Sequence, residues 1–425
     1  MFHFAALPPL SLYVHLPWCV RKCPYCDFNS HEVSSHRSPH PIPLPKGEGE
    51  KVSLRDSLVI DRITERAYIT ALIADLEQEL PAVWGRPVET VFIGGGTPSL
   101  FSPAAIDGLL SQLRALLPLS ATAEITLEAN PGAVEAGKFA EFRAAGINRL
   151  SIGVQSFNDA MLQRLGRIHG AREAIAAAEA AHAAGFEELN LDLMYGLPGQ
   201  TAAQARADLE QAIALRAPHL SHYQLTIEPN TLFAHAPPPL PDDDATWEMQ
   251  QSCRERLAAA GYVHYEVSGY AQAGHRCRHN LNYWQFGDYL GIGAGAHAKI
   301  SNAQTQRIVR TAKVRHPRDY LAKSATAARI AETRTLDRRD AGFEFMLNAL
   351  RLTEGFPTAL FAQHAGLPLT TVEGPLQEAE RKGLIERDMH AIRPTEFGQR
   401  FLNDLLALFL PETRAQKPSS EATPL

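Results

Sequence analysis

The sequence predicts an α/β fold built around a partial barrel of six parallel strands. The first observation behind this prediction is alternation, because six strand-like apolar runs are separated by segments with helical spacing. Strands that alternate with helices pair in parallel, since each helix crosses back over the sheet. The second observation is the count, because six strand–helix units in about 220 residues suit an incomplete barrel better than a full eight-stranded one. We therefore expect an incomplete, TIM-like (β/α)6 barrel.

The six predicted strands follow one another in order and are rich in branched apolar side chains. They cover residues 11–16, 88–93, 124–129, 149–155, 188–196 and 219–228. Helix boundaries between them carry recognisable signals. Ser102 can cap a helix over 102–117 with Pro103 in its first turn, and Gly146 is expected to end the helix after the third strand.

The pattern along the 425 residues predicts several further segments. After the barrel, a small α+β segment precedes a helical, winged-helix-like region, and prolines without apolar periodicity predict a disordered insertion. The expected divisions are an N-terminal extension over 1–10, the barrel over 11–235, its disordered insertion over 32–62, the linking segment over 240–335, the C-terminal domain over 336–410 and a disordered tail over 411–425.

Composition and charge exclude some classes of function. The net charge of −6 gives no global attraction to nucleic acid, and the presumed recognition helix carries glutamates 373, 378 and 380 beside only two basic residues. We therefore expect no nucleic-acid partner. No apolar run approaches the roughly 18 residues of a membrane span, and the N-terminus lacks a basic leader. The expectation is a cytoplasmic protein without a membrane span; peripheral membrane contact and a monomeric or dimeric state stay open.

Three of the five cysteines lie close together in the loop after the first predicted strand, as Cys19-x3-Cys23-x2-Cys26. Clustered cysteines in a reducing compartment favour a metal site over disulfides. Structural zinc requires four ligands, so a zinc site would need His15 or His31 as well. A [4Fe–4S] cluster held by three cysteines instead leaves one iron open to a small molecule.

Polar residues recur at the ends of the later strands. In parallel barrels, the C-terminal ends of the strands form the site. Glycines 94–96 follow the second strand, where they allow close backbone approach, and Glu128, Gln155 and Asp192 end the third, fourth and fifth strands. Arg167 can pair with a carboxylate through its planar guanidinium. A ligand with an amine, a carboxylate and a ribose beside an open iron describes S-adenosylmethionine.

CVRKCPYC resembles the signature of the radical S-adenosylmethionine superfamily. FIGGGTPS, LEANPG, NRLSIGVQSF, LGRIH and DLMYGLPGQT resemble the branch that contains oxygen-independent coproporphyrinogen dehydrogenases and the HemW heme chaperones. The likeness spans about residues 10–410 and implies a radical S-adenosylmethionine barrel with a HemN-type C-terminal domain. It assigns Cys19, Cys23 and Cys26 to a [4Fe–4S] cluster, and to the S-adenosylmethionine site Tyr13, Tyr25, Gly95, Gly96, Thr97, Glu128, Gln155, Arg167 and Asp192.

One departure separates the two branches. The dehydrogenases carry a fourth cysteine two residues after the third, whereas this chain has Cys26-Asp27-Phe28. The string CDFNSH resembles the heme chaperones, which implies heme binding and transfer to acceptor proteins such as respiratory hemoproteins, without coproporphyrinogen decarboxylation. Two alternatives stay open: a coproporphyrinogen dehydrogenase, and a winged-helix regulator that senses the cluster.

The string HNLNYW resembles the HNxxYW motif of the heme chaperones. By this resemblance His279, Tyr283 and Trp284 contact heme, with His279 able to supply an axial nitrogen to the iron. Residue chemistry alone favours a structural loop in which these side chains pack against the barrel. The expected cofactors are thus a [4Fe–4S] cluster, S-adenosylmethionine and heme.

Overall fold

A computed structural model of the chain describes residues 2–33, 60 and 62–411. The insertion predicted over 32–62 and the tail predicted over 411–425 fall almost wholly outside these residues. Across the described ranges, no helix combines the length and the apolar character needed to cross a lipid bilayer.

Strands and helices alternate through the first half of the described chain. The strands are β1 (Leu10–Leu16), β2 (Trp18–Cys19), β3 (His31–Glu32), β4 (Val88–Gly95), β5 (Leu119–Ala129), β6 (Arg149–Gln155), β7 (Glu188–Tyr195), β8 (His219–Gln224), β9 (Val263–His264), β10 (Gly269–Ala271), β11 (Asp288–Ile292), β12 (His297–Asn302), β13 (Arg307–Lys313), β14 (Ile330–Thr335), β15 (Phe356–Pro357), β16 (Ile385–Arg387) and β17 (Ala391–Pro394).

The helices begin after the cysteine loop and continue to the end of the described chain. They are α1 (Arg62–Val83), α2 (Pro103–Leu116), α3 (Ala133–Ala136), α4 (Phe139–Ala145), α5 (Asp159–Arg164), α6 (Ala171–Ala183), α7 (Ala202–Ala214), α8 (Leu232–His235), α9 (Asp243–Ala259), α10 (Arg278–Trp284), α11 (Pro317–Lys323), α12 (Arg338–Ala349), α13 (Thr358–Ala365), α14 (Glu373–Arg381), α15 (Glu396–Arg400) and α16 (Leu402–Ala407).

The predicted partial barrel is confirmed. Its six strands pair in parallel in the order β1-β4-β5-β6-β7-β8. Their side chains are buried at most positions on both faces, as is typical of a parallel sheet, although polar residues alternate with apolar ones in β6 and β7. Two predicted ends differ, because β8 stops at Gln224 and β5 begins at Leu119.

Helix boundaries follow the predicted signals. The Ser102 hydroxyl accepts a hydrogen bond from the backbone N–H of Ala105 and so caps α2. Gly146 ends α4 with a φ of 108°, a left-handed conformation that favours glycine. Local residue chemistry therefore determines where these helices begin and end.

A seventh parallel strand, β11, adds to the six predicted strand–helix units. β11 pairs with β1 in the register Leu10 to Asp288 through Val14 to Ile292, and β12, β13 and β14 extend the sheet antiparallel from there. The glycines of residues 287–300 predict a strand with close backbone approach at the open side of the barrel, and β11 lies there, beside β1. β11 lies beyond residue 235 in the sequence but belongs to the same sheet as the barrel strands. The domain division at residue 235 stays a prediction.

The added strands are anchored to α1 by a buried ionic network centred on Asp75. Its carboxylate accepts hydrogen bonds from Lys313 at 2.6 Å, Arg329 at 2.8 Å and the Tyr320 hydroxyl at 2.8 Å. The side chains of Asp75 and Lys313 are fully buried. Burying charges is costly unless they are paired and hydrogen-bonded, so the network stabilises only one placement of these strands against the helix.

The C-terminal region has the predicted helical, winged-helix-like form, with a small sheet in the order β15-β17-β16 and a hydrophobic core separate from that of the barrel. Residues near the N-terminus join this core, since Phe4 packs against Gly366. Two arginines at this helix form ion pairs with its glutamates. Arg381 of α14 pairs with Glu378, and Arg387 of β16 pairs with Glu373. The helix therefore does not offer the basic surface that a DNA-reading helix needs.

Candidate functional site

The cysteine loop lies at the C-terminal end of β1, as predicted from the strand order. After β1 ends, β2 pairs with β3 and closes the loop, and the N–H of Cys26 donates to the carbonyl oxygen of Cys23 at 3.1 Å. All three thiols are free and line one cavity of about 290 Å³. The fold thus brings the sulfur atoms of Cys19, Cys23 and Cys26 to one wall of a single cavity.

Two hydrogen-bond donors face the sulfur atoms of this loop. The Thr97 hydroxyl lies 3.6 Å from Cys19 Sγ, and Arg167 Nη1 lies 3.5 Å from Cys23 Sγ. Burial raises the pKa of the Cys19 thiol and of the Cys26 thiol. Donors directed at sulfur are suited to the extra electron density of metal-bound thiolates.

A zinc site on the three cysteines would need a fourth ligand, and neither candidate histidine is placed to supply it. His15 Nδ1 accepts from the Tyr13 hydroxyl at 3.0 Å, and His15 Nε2 donates to the carbonyl oxygen of Asn29 at 2.9 Å. His31 does not line the cysteine cavity, and its ring contacts His316. Within the described ranges, no group of three or more His, Cys, Asp or Glu could hold a single metal ion. A cluster that offers each thiolate its own iron fits these three cysteines better.

The glycine turn after β4 packs directly on the cysteine loop. The N–H of Gly96 donates to Leu16 O at 2.8 Å, and the N–H of Thr97 donates to Trp18 O at 2.7 Å. A Cβ atom at Gly96 would lie 2.4 Å from the Trp18 carbonyl oxygen. Only glycine permits this approach, so the turn and the loop form one backbone cradle beside the cavity.

Two half-buried carboxyl groups, Glu128 and Asp192, line the cavity. Glu128 accepts from the Gly95 N–H at 3.0 Å, and burial raises its pKa to about 7, with that hydrogen bond opposing the rise and Asp192 adding to it. Asp192 accepts from Asn190 at 2.8 Å, and burial raises its pKa as well. Such groups bind the hydroxyl or ammonium groups of a ligand.

Arg167 reaches the cavity from the loop after α5 and is held on several sides. Its Nη2 donates to Gly153 O at 2.7 Å and to Asn130 Oδ1 at 2.8 Å, while Nη1 faces Cys23. Its Nε is buried and, among the described residues, has no hydrogen-bond partner. An unsatisfied donor of this kind, lining the cavity, is consistent with a missing anionic or polar ligand.

Gln155 shows a feature that sequence patterns do not reveal. Its φ of 69° places a non-glycine residue in the left-handed region, and its side-chain oxygen accepts from the Tyr223 hydroxyl at 2.8 Å. Such backbone strain concentrates at functional sites. Tyr223 itself was missed, although its place at the end of β8 was a signal that could have found it. Ser156, the residue after Gln155, points elsewhere, and its hydroxyl donates a hydrogen bond to the Asp208 carboxylate at 2.7 Å.

Most predicted cofactor residues meet in this one cavity. It is lined, among others, by Cys19, Cys23, Tyr25, Cys26, Gly95, Gly96, Thr97, Glu128, Gln155, Arg167 and Asp192. Tyr13 is the exception, because it lines a neighbouring cavity that shares Gly95 and Glu128 with the first.

The three residues of the HNLNYW motif do not share one surface. Tyr283 lines the cavity that contains Tyr13. His279 is 1% exposed, and both its ring nitrogens are engaged. Trp284 instead lies under the guanidinium of Arg351, 4.2 Å from its ring centre. In this arrangement His279 offers no free nitrogen to an iron ion.

A partial parallel barrel whose first loop carries three cysteines beside a glycine turn defines the class of radical S-adenosylmethionine proteins. Residues 13–212 match the Radical SAM superfamily, and residues 336–401 match the HemN C-terminal domain.

The chain belongs to the HemW heme chaperone family. It is 48% identical over 406 residues to heme chaperone HemW of Escherichia coli K12, covering 96% of this chain and 99% of that relative. Heme chaperone HemW of Bacillus subtilis is 33% identical over 408 residues, with coverage of 95% and 99%. Coproporphyrinogen III oxidase (HemN) from Escherichia coli aligns with a TM-score of 0.74 over 95% of this chain and 90% of that chain. At 23% identity this likeness shows the fold alone.

Proposed function

We propose that this protein binds heme and transfers it to acceptor proteins in the cytoplasm. The observation that carries the proposal is Phe28, which occupies the position of the fourth cysteine in the dehydrogenase pattern. Its side chain is 63% exposed and lines the cysteine cavity. A chain without that cysteine lacks a group that the decarboxylating branch places beside its cofactor, and the relatives named as heme chaperones support the transfer reading.

The proposed cofactors are a [4Fe–4S] cluster on Cys19, Cys23 and Cys26, and S-adenosylmethionine on its open iron. When bound, the cluster can pass an electron to the sulfonium of S-adenosylmethionine. The chain's own residues orient that ligand: the backbone at Gly95 and Gly96 can approach its methionine portion, while buried acceptors and the Arg167 guanidinium bind its polar groups. The side chains proposed for this role are Tyr13, Tyr25, Thr97, Glu128, Gln155, Arg167 and Asp192.

One anaerobic assay on cluster-reconstituted protein tests the proposal. Heme-loaded protein is mixed with an apo-cytochrome to follow heme transfer, and a parallel sample receives coproporphyrinogen III and S-adenosylmethionine to follow decarboxylation. We expect transfer without decarboxylation. A Phe28→Cys variant is the matched control, and we expect it to remain inactive in decarboxylation because one cysteine does not create the substrate site. Decarboxylation by the unmodified chain, without heme binding, would reject the proposal.

The raised pKa of Glu128 predicts a pH dependence of S-adenosylmethionine binding. The ligand carries positive charge, so it favours the ionised carboxylate, and a group with a pKa of about 7 ionises as the pH rises through that value. The facing groups are the Gly95 N–H, Asp192 and Tyr13. We expect affinity to increase several-fold between about pH 6 and about pH 8, measured by equilibrium dialysis.

Glu128→Gln provides the control for this pH dependence. The variant keeps a side-chain oxygen for the Gly95 N–H but cannot ionise, so titration of the ligand's own amine remains while the contribution of Glu128 disappears. An unchanged pH dependence in Glu128→Gln would show that another group controls the binding of S-adenosylmethionine.

A further inference from the structure

A second cavity, of about 660 Å³, adjoins the cofactor cavity across Gly95 and Glu128. It lies between the cysteine loop and strands β12 to β14. Tyrosine rings and Phe28 contribute to its apolar lining, and its polar lining includes two histidines, an arginine, a lysine, two glutamates and an asparagine. The residues used below are Tyr13, Phe28, Tyr283, Tyr289, His297 and Arg315.

The three tyrosine hydroxyl groups of this cavity are each occupied by a partner in the protein. Tyr13 OH donates to His15 at 3.0 Å, and Tyr289 OH accepts from Arg310 at 2.6 Å. Tyr283 OH donates to His279 Nε2 at 3.1 Å. With their polar ends held, the rings remain as aromatic surface, which suits a flat apolar ligand more than a polar one.

His279 therefore has a defined structural task. The Thr90 hydroxyl donates to Ser11, so Thr90 Oγ1 accepts from His279 Nδ1 at 2.7 Å. His279 Nε2 then has its lone pair directed at the Tyr283 hydroxyl. Burial lowers the pKa of His279 to about 3, which keeps the ring neutral and this arrangement intact. His279 positions Tyr283, and iron could replace that contact only by releasing the tyrosine.

His297 stands in the opposite situation. It opens β12, its side chain is exposed to the cavity, and in the described part of the chain nothing hydrogen-bonds to either ring nitrogen. Burial, followed by Arg310, lowers its pKa, while Glu332 opposes the shift. Glu332 lies on the same sheet face, because His297 pairs with Ala312 and Ala312 pairs with Glu332. A neutral imidazole with a free nitrogen is a common iron ligand.

Arg315 completes the cavity as an anion partner. Its side chain is exposed, and no acidic residue of the described chain forms an ion pair with it. Its backbone is fixed to the cysteine loop, because Asn29 Nδ2 donates to Arg315 O at 2.8 Å and to Ala294 O at 2.9 Å. A guanidinium of this kind can bind a carboxylate with two parallel hydrogen bonds.

We propose that this second cavity is the heme site, with His297 as an axial iron ligand, Arg315 as the partner of a propionate, and the tyrosine rings against the macrocycle. This inference rests on the proposed heme-binding function and specifies its location. It replaces the expected ligand His279 with a residue outside the HNLNYW motif. Because the cavity shares a wall with the S-adenosylmethionine site, the bound heme and that cofactor would be neighbours.

The test compares histidine variants titrated with ferric heme. For His297→Ala we expect at least a tenfold loss of affinity and loss of the absorption and electron paramagnetic resonance features of histidine ligation. Added imidazole should restore those features, since it can enter the space left by the side chain. His279→Gln, whose amide oxygen can still accept from Tyr283, should keep them. His390→Ala, at an exposed site outside the cavity, is the control. Iron content verifies that each variant carries its cluster.

The outcomes separate this inference from the proposed function. Absence of heme binding by the unmodified protein would reject the function itself. Heme binding that keeps its histidine features in His297→Ala, or loses them in His279→Gln with the cluster intact, would overturn the placement at His297 while the function stands.

Discussion

Replacing Gly96 with alanine is expected to produce a protein that retains no [4Fe–4S] cluster and binds no S-adenosylmethionine. The new Cβ atom would lie 2.4 Å from the Trp18 oxygen and 2.6 Å from its carbonyl carbon. Both are backbone atoms of the strand that carries Cys19, so no side-chain rotation can relieve the clash. The glycine turn or the cysteine loop must move, and the two hydrogen bonds between them are lost. Iron and sulfide content after anaerobic reconstitution measures the effect.

Gly108→Ala is the matched control for this substitution. Gly108 lies within α2, and a Cβ atom there would meet no atom within 4 Å. Alanine favours a helix over glycine by about 1 kcal/mol, so the control should load its cluster fully and be slightly more stable. Normal cluster content in Gly96→Ala would contradict the close packing of the turn on the loop.

Asp75→Ala is expected to be strongly destabilising, although Asp75 lies outside the cofactor site. It removes the acceptor shared by Lys313, Arg329 and Tyr320 and leaves two cations beside Glu79 alone. Breaking a buried ion pair by removing one partner costs about 3–5 kcal/mol. The lost contacts join α1 to β13, so the strands that enclose the proposed heme cavity should loosen with the fold. Thermal denaturation followed by circular dichroism measures the change.

The control for Asp75 is an exposed ion pair. Glu89 lies 3.4 Å from Arg278, and both side chains are well exposed. Exposed pairs contribute about 0–1 kcal/mol, so Glu89→Ala should change the denaturation midpoint little. Equal effects of the two substitutions would mean that the Asp75 network contributes no more than a surface pair. Asp75→Asn, which keeps the oxygen acceptor without its charge, separates hydrogen bonding from charge.

Local signals in the sequence were sufficient for the barrel and for most of the cofactor cavity. Apolar periodicity located the six parallel strands, and residues at their carboxyl ends must then share one face. This reasoning brought Glu128 and Asp192 to the cysteine loop correctly, although they lie far apart in sequence. The strand-end rule gives proximity and not direction, so it does not show that Ser156, next to Gln155, bonds to Asp208.

Contacts made by the second half of the chain could not be predicted in the same way. β11 follows no strand–helix repeat, so nothing local indicates that it pairs with β1. Without that pairing, the outline of the cavity beside Tyr13 cannot be foreseen. The burial of His279 likewise depends on Thr90, a residue of β4 that faces α10 only in the folded protein.

The pairing of β1 with β11 also has a consequence for the order of events during synthesis. β1 is synthesised early and leads to the cysteine loop. Its partner strand β11 is complete only when Ile292 has been added. Until then one edge of β1 exposes unpaired backbone groups, a condition that invites pairing with other chains. Iron–sulfur loading on the ribosome would therefore act on an unfinished sheet. Nascent chains that end before Asp288 should aggregate readily, because that edge of β1 stays unpaired.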